Sequence, residues 1–346
     1  MRLGLVLPRR GPSGLWAMGC EAAAALAVAE INAAGGVLGA QVGLSVACSG
    51  ETPESAADAA DRLCRSDAVD AVIGFQPSHM RGAVRDRLGG RVPYFYTPQY
   101  EGGFAGPATV ALGLTDAEVL GPALAWLSAV RHVRRAYFVG NDYIWPRTAH
   151  GTAQDAMSRN GVTSVGSTVI PFGYQDYGAV LSAIRTARPD LVVTVLLGEE
   201  AIRFHRAFAL AGMARTTLRL ALATDETLLL GIGPDAAENL FAADSFFAGR
   251  ACRHRDGMLE RYSQAFGTGR PGVNVFSLGC YDAVHLAARL ARGVGRADAQ
   301  GLLQAIGHGP RRRCGVRPAG LSGPRRHLPI HIAEADGTGF RVHATV

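Results

Sequence analysis

The stretch Val69-Asp-Ala-Val-Ile-Gly-Phe-Gln-Pro-Ser-His-Met-Arg-Gly-Ala-Val-Arg-Asp-Arg-Leu88 decides the fold. Its first half, VDAVIGF, is a short run of mostly apolar, β-branched residues and reads as a buried strand. Its second half, SHMRGAVRDRL, spaces apolar residues as a helix does. A buried strand that runs straight into a helix is half of a βαβ unit. The next run, VPYFYT (92–97), reads as the following strand. Strands that alternate with helices in this way build a parallel sheet covered on both faces.

The same alternation extends in both directions. RLGLVL (2–7) is a strand, and GLWAMGCEAAAALAVAEIN (14–32) is a long Ala-rich helix closed by Ala-Ala-Gly-Gly. QVGLSVAC (41–48) is a strand. TPESAADAADRLCR (52–65) is a helix with Thr52 placed to cap it and Pro53 at its first position. A second series follows, in the order helix 117–130, strand RRAYFV (134–139), helix 146–161, strand 162–171, helix 177–188, strand DLVVTVLL (190–197), helix 199–213 and strand LRLALA (218–223). Strand NLFAADSFF (239–247) comes next. Helical stretches near 252–267 and 274–294 are expected to return to the first lobe. The tail reads as two alternating strands around Asp336-Gly337. With 346 residues, two lobes are the expectation. They are placed at 1–115 with 245–320, and at 116–244 with 321–346.

Charge and cysteine exclude more than they assign. The net charge is +6, and every basic residue is Arg. A mild positive charge spread along the chain gives no nucleic-acid footprint, and Arg311-Arg312-Arg313 reads as a solvated turn. Cys20, Cys48, Cys64, Cys252, Cys280 and Cys314 have no metal-ligand spacing, and no cofactor is expected. The apolar run after Met1 is too short for a signal peptide, so a native Met1 implies a cytoplasmic protein, and a removed signal an extracytoplasmic one. No apolar segment reads as a membrane span.

Catalysis finds no motif. Ser78 and His79 are adjacent, so their side chains diverge on a helix. There is no G-x-S-x-G elbow, and PRRGPSG (8–14) lacks the Lys of a phosphate loop.

Strand tips in open α/β sheets are where ligands sit. One tip, GNDYIWPR (140–147), gathers Asn141, Asp142, Tyr143 and Trp145 before Pro146 starts a helix. Such a loop either turns the chain or meets a ligand. Several stretches together decide between these. EINAAGGVLGAQV (30–42), VIGFQPSHMRGAV (72–84), FYTPQYEG (95–102), GNDYIWPRTA (140–149), GIGPDAAENLFAADSFF (231–247) and HLPIHIAEADGTGF (327–340) resemble the type I periplasmic-binding-protein fold. Within it they are similar to the short-chain amide and urea binding group, which includes the amide sensor of amidase operons and urea ABC transporter substrate-binding proteins.

The resemblance implies an α/β, Venus-flytrap architecture. Two doubly wound parallel-sheet lobes are joined by three crossing strands and close on a ligand. It also implies site residues. Ser78 matches the family Ser that offers its hydroxyl and a helix-start amide, although a plain N-cap has the same sequence signature. Tyr96 matches a Tyr wall with one hydroxyl. Tyr143 matches the Tyr that meets the ligand from the second lobe, and Trp145 stands where relatives have a stacking ring. Thr224 matches a polar contact. Gln76 either pairs with the ligand or faces water. Pro98 and Gln99 depart from the family order, Gln99 leaning towards the urea branch. Tyr100-Glu101-Gly102 shapes the loop, Arg147 pins the loop of the second tip, and Asp142 is a loop-holding acceptor rather than a catalytic acid. Glu199 and Asp225 either hold an amino group or favour a helix start by charge.

The implied function is a non-catalytic binding protein for a small polar amide- or urea-like ligand. A cytoplasmic sensor that signals to a protein regulator by closure is the first reading. The substrate-binding component of an ABC importer, with a permease partner, is the second. No nucleic acid and no membrane insertion are expected, and a homo-oligomer stays open.

Overall fold

The computed structural model describes residues 1–103, 105–249, 255–307 and 328–346. Arg311–Arg313, Cys252 and Cys314 therefore lie outside the described residues. The chain divides into two compact units. Unit 1 is Met1–Leu114 with Cys252–Arg326, and unit 2 is Thr115–Ala251 with His327–Val346.

Unit 1 begins with β1 (Arg2–Leu7), α1 (Ala17–Ala33), β2 (Gly43–Cys48), α2 (Pro53–Ser66), β3 (Ala71–Gly74), α3 (Ser78–Leu88), β4 (Tyr94–Tyr96) and β5 (Thr109–Ala111). The five strands lie in the order β2-β1-β3-β4-β5, all parallel. Helices cover both faces of such a sheet, which is why β1 and β3 are continuous apolar runs rather than alternating ones. Val6, Leu63, Val72, Met80, Val84, Leu88, Tyr94, Tyr96 and Tyr100 belong to one buried cluster beneath the β3 and β4 tips. The start of α2 follows from its sequence: Thr52 and Ser55 make a reciprocal capping box, with Pro53 at the first helical position.

One expectation is corrected at α1. The run Gly14–Ala33 is long and apolar enough, by length and composition, to cross a membrane. Its composition has another use within unit 1. Cys20, Ala23, Ala24, Ala27 and Ile31 are buried, and the helix packs along a later helix of the same unit. Small side chains let two helices approach closely on more than one face.

Unit 2 continues with α4 (Asp116–Val130), β6 (Arg135–Asn141), α5 (Ile144–Arg159), β7 (Thr163–Ile170), α6 (Gly178–Ala187), β8 (Leu191–Val195), α7 (Gly198–Leu210), β9 (Leu218–Ala221), α8 (Glu226–Ile232) and β10 (Leu240–Asp244). The chain then supplies α9 (Asp256–Phe266), α10 (Val275–Val294) and α11 (Ala299–Gly307) to unit 1, where α10 is the partner of α1. It ends in unit 2 with β11 (His331–Asp336) and β12 (Gly339–Thr345). The seven strands of unit 2 lie in the order β12-β11-β10-β9-β8-β6-β7. The five from β6 to β10 are mutually parallel, while β11 runs antiparallel to β10 and pairs with β12 as a hairpin.

Three elements lack a sequence signal: β5, α8 and α11. Each is short, and β5 has three residues, too few for any period to show. A fourth difference concerns the tip at 140–147. The strand β6 runs on through Asn141, and α5 begins at Ile144, not at Pro146. Pro146 is the third helical residue, where a missing N–H still costs no intrahelical bond.

Candidate functional site

In unit 1, polar groups gather where β3 and β4 end. The chain leaves β3 at Gly74 and enters α3 at Ser78. The cap position is held by Pro77, which gives α3 no side-chain cap. Ser78 is therefore not an N-cap. It is 6% exposed, and its hydroxyl donates to Glu101 Oε2 at 3.0 Å. Tyr96 is fully buried, and its hydroxyl donates to the Gln76 carbonyl at 2.9 Å, with Ser78 Oγ 3.4 Å away.

One turn beyond Ser78, Arg81 donates to Glu101 Oε1 at 2.5 Å. Its guanidinium lies 5.1 Å from the Tyr96 ring centre and 5.5 Å from that of Tyr100. Arg81 escaped the sequence reading, although its i+3 spacing from Ser78 puts both on one face of α3. Glu101 does more than shape its loop, because it is bonded to both Ser78 and Arg81.

Gln76 does not face water. It is 1% exposed, and its Nε2 donates to the Tyr94 hydroxyl at 2.6 Å. Its Oε1 finds no hydrogen-bond partner among the described residues. Burial pushes the Tyr94 hydroxyl well above the ordinary tyrosine range, so it stays protonated. Pro98 is buried and Gln99 half-buried on the segment after β4.

The hydroxyl protons of Ser78 and Tyr96 are both committed, to a carboxylate and to a carbonyl. Towards a ligand these oxygens act as acceptors. Beside them the buried Nη1 of Arg81, a donor, has no hydrogen-bond partner among the described residues, so unit 1 holds donor as well as acceptor groups here.

In unit 2 the tips of β6, β8, β9 and β10 carry the candidates. Asn141, the last residue of β6, is fully buried. Its Oδ1 accepts the Leu197 N–H at 2.9 Å, which joins the β6 tip to the start of α7. Asp142 pairs with Arg147, as the loop-pinning expectation has it, and both are well exposed. Tyr143 takes the cap position of α5 in extended backbone and is 8% exposed. Its ring lies 5.3 Å from Phe172 and 6.3 Å from Trp145.

Trp145 is 3% exposed, and its indole N–H donates to Asp116 Oδ1 at 2.7 Å. The indole's one polar group is thus used inside unit 2. Trp145→Phe is expected to cost about 1–3 kcal/mol, because a buried carboxylate loses a donor. Unfolding in guanidinium chloride would measure this, and an unchanged midpoint would show the bond to be idle.

Thr224 is buried, and its hydroxyl donates to the Leu222 carbonyl at 3.2 Å. Asp225 caps α8 by accepting the Leu228 N–H at 3.1 Å. Glu199 is exposed in the first turn of α7 and pairs with Arg203 at 2.7 Å, one turn on. Asp244, at the end of β10, was not singled out in the sequence. It is 7% exposed and accepts the Ser245 N–H at 2.7 Å. Burial pushes its carboxyl up to about 7, and the nearby charges of Asp225 and Glu226 add to the rise. Burial raises Glu226 as well, although its Oε1 accepts the Ala248 N–H at 2.7 Å.

Two α/β units, each with polar and aromatic side chains gathered where its parallel strands end, define a class of binding protein for small molecules. The model of the periplasmic binding protein family matches residues 1–315, and the chain belongs to that family. Solved structures agree on the fold. An ABC transporter substrate-binding protein from Sphaerobacter thermophilus is 22% identical, with a TM-score of 0.81 over 100% of this chain and 97% of that one. A solute-binding protein of an ABC transporter from Rhodopseudomonas palustris, in complex with 3,4-dihydroxybenzoic acid, is 20% identical, with a TM-score of 0.83 over 100% and 96%. A branched-chain amino acid transporter substrate-binding protein from Streptococcus pneumoniae, in complex with isoleucine, is 17% identical, with a TM-score of 0.81 over 100% and 98%.

Proposed function

We propose that this protein is the non-catalytic solute-binding component of an ABC importer, acting outside the cytoplasm with a permease as its partner. The family and the transporter proteins of the same fold support this reading over that of a cytoplasmic sensor. We further propose that its ligand is small, neutral and polar, of the amide or urea class. Ser78, Tyr96, Gln76, Pro98 and Gln99 of unit 1 and Tyr143, Trp145 and Thr224 of unit 2 recognise it.

The observation that carries the ligand class is the hydrogen-bond direction at Ser78 and Tyr96. Both hydroxyls give their protons to protein oxygens, at 3.0 Å and 2.9 Å. What they offer a ligand is lone pairs, which an amide NH2 or a urea NH2 matches and a carboxylate does not. The benzoate- and isoleucine-bound proteins hold carboxylates, so the ligand class is a point of divergence within one fold.

Melting curves with acetamide, urea, benzoate and isoleucine test this. A ligand at 100 times its Kd stabilises by about 2.7 kcal/mol, enough for a clear rise. A concentration-dependent rise with acetamide or urea is expected, reduced about tenfold in apparent affinity by Ser78→Ala. A rise with benzoate or isoleucine alone would overturn the ligand class and leave the transport role. No rise with any of the four would overturn the ligand class and leave the transport role resting on the family.

A further inference from the structure

The buried amide of Asn141 uses only one of its two ends among the described residues. The Leu197 N–H can only donate, so its partner on Asn141 must be Oδ1, which fixes the amide's orientation. Nδ2 then points the other way. It is fully buried and has no hydrogen-bond partner among the described residues. An unpaired buried N–H group is costly, and native proteins rarely leave one without a purpose.

Its surroundings supply a second donor. Asn141 is bonded to the cap residue of α7, a helix of 13 residues. That cap is Leu197, which has no side-chain acceptor to offer the first turn, so α7 starts without a side-chain cap. A helix start of this kind and an amide NH2 both present hydrogens, and both sit where β6 and β8 end. Two residues away, Tyr143 and Phe172 form an aromatic pair.

The charges nearby decide what kind of acceptor fits. Glu199 and Glu200 occupy the first turn of α7. Arg203 offsets Glu199 at 2.7 Å, whereas Glu200 is buried and bonded to the Gly173 N–H and the Tyr177 hydroxyl. A carboxylate ligand would meet this negative charge at close range. A neutral carbonyl oxygen would not.

We infer that Asn141 Nδ2 and the uncapped start of α7 form an acceptor-binding subsite in unit 2, which takes the carbonyl oxygen of a neutral polar ligand. This rests on the ligand reading given above and deepens it, since an amide or a urea carries a carbonyl oxygen of this kind. Asn141 is a specificity-determining residue in this account.

Asn141→Asp is the test variant. One carboxylate oxygen can keep the Leu197 N–H, while the other replaces a donor with an acceptor. Calorimetric titration with acetamide and with urea should show roughly a 10- to 100-fold loss of affinity in Asn141→Asp. Burial of the new carboxyl should lower its melting temperature without ligand at neutral pH, so both proteins are titrated at a temperature where both are folded. If Asn141→Asp binds acetamide and urea as wild type does, while Ser78→Ala binds them weakly, the subsite is overturned and the proposed function stands. If wild type binds only benzoate or isoleucine, the carbonyl assignment and the ligand class fall together. Should Asn141→Asp fail to fold, a crystal structure of wild type with acetamide decides. A ligand oxygen within hydrogen-bond distance of Nδ2 supports the inference, and a water alone at that position overturns it.

Discussion

Gly113→Ala is expected to destabilise unit 1 by about 3–5 kcal/mol, near the top of the range for a single added methyl. Residues 96–100 and 112–114 run side by side beyond β4 and β5. Leu112 N–H donates to the Tyr96 carbonyl at 2.8 Å, and Tyr100 N–H donates to the Leu114 carbonyl at 3.0 Å. A Cβ at Gly113 would lie 1.9 Å from the Pro98 carbonyl oxygen, 2.3 Å from its carbon and 2.6 Å from the Gln99 nitrogen. All three are backbone atoms, so no side-chain rotation relieves the clash. The two segments must part, and at least one of the two hydrogen bonds goes with them. Tyr96, Pro98 and Gln99 sit on the displaced segment, so affinity for acetamide or urea should fall together with stability. Unfolding in guanidinium chloride, read by the tyrosines of this region, would check the first effect. A loss below about 1 kcal/mol would mean that the two segments are less tightly apposed.

Asp244→Asn should stabilise unit 2 at pH 8 and leave it unchanged near pH 4. The carboxyl of Asp244 is raised from an ordinary 3.8 to about 7, first by burial and then by Asp225 and Glu226. A raised acid favours its neutral form in the folded state. Its contribution is therefore complete below about 3.8 and is lost as pH rises through about 7. A rise of this size corresponds to at most ~4 kcal/mol. Glu226 is raised by burial too, so it reinforces the direction. Asparagine cannot ionise, and its oxygen can still accept the Ser245 N–H. Melting temperatures of both proteins from pH 4 to pH 9 should diverge upwards through neutrality. Parallel curves would place Asp244 in water and refute the assignment.

Much of the fold could be read from local chemistry. Thr52-Pro53 announced α2, Ser78 began α3, and Asp336-Gly337 marked the closing hairpin. In each of these, a residue's own backbone preference agrees with its place in the sheet or helix. The failures share a different cause. Asn141 looked like a loop residue because asparagine is depleted in strands, yet its amide is held by Leu197, 56 positions on. Trp145 reads as a stacking ring, and only the fold adds that Asp116 takes its indole N–H. Glu101 and Arg81 form a pair across 20 residues that no spacing rule joins. Residue types at a strand tip were legible from the sequence. Which of them spend their hydrogens on one another was not, because that depends on contacts between distant segments.

The closing hairpin has a consequence for biosynthesis. β11 covers an edge of β10 that nothing else in the seven-strand sheet covers, and it comes from the last twenty residues of the chain. On the ribosome, β10 is made roughly 90 residues earlier and must wait with a bare row of peptide groups, at translation speeds of about 5–20 residues per second. A chain stalled before Ile330 would carry that sticky border into the cell. The exposure of this edge during synthesis is thus set by the strand order rather than by any single residue.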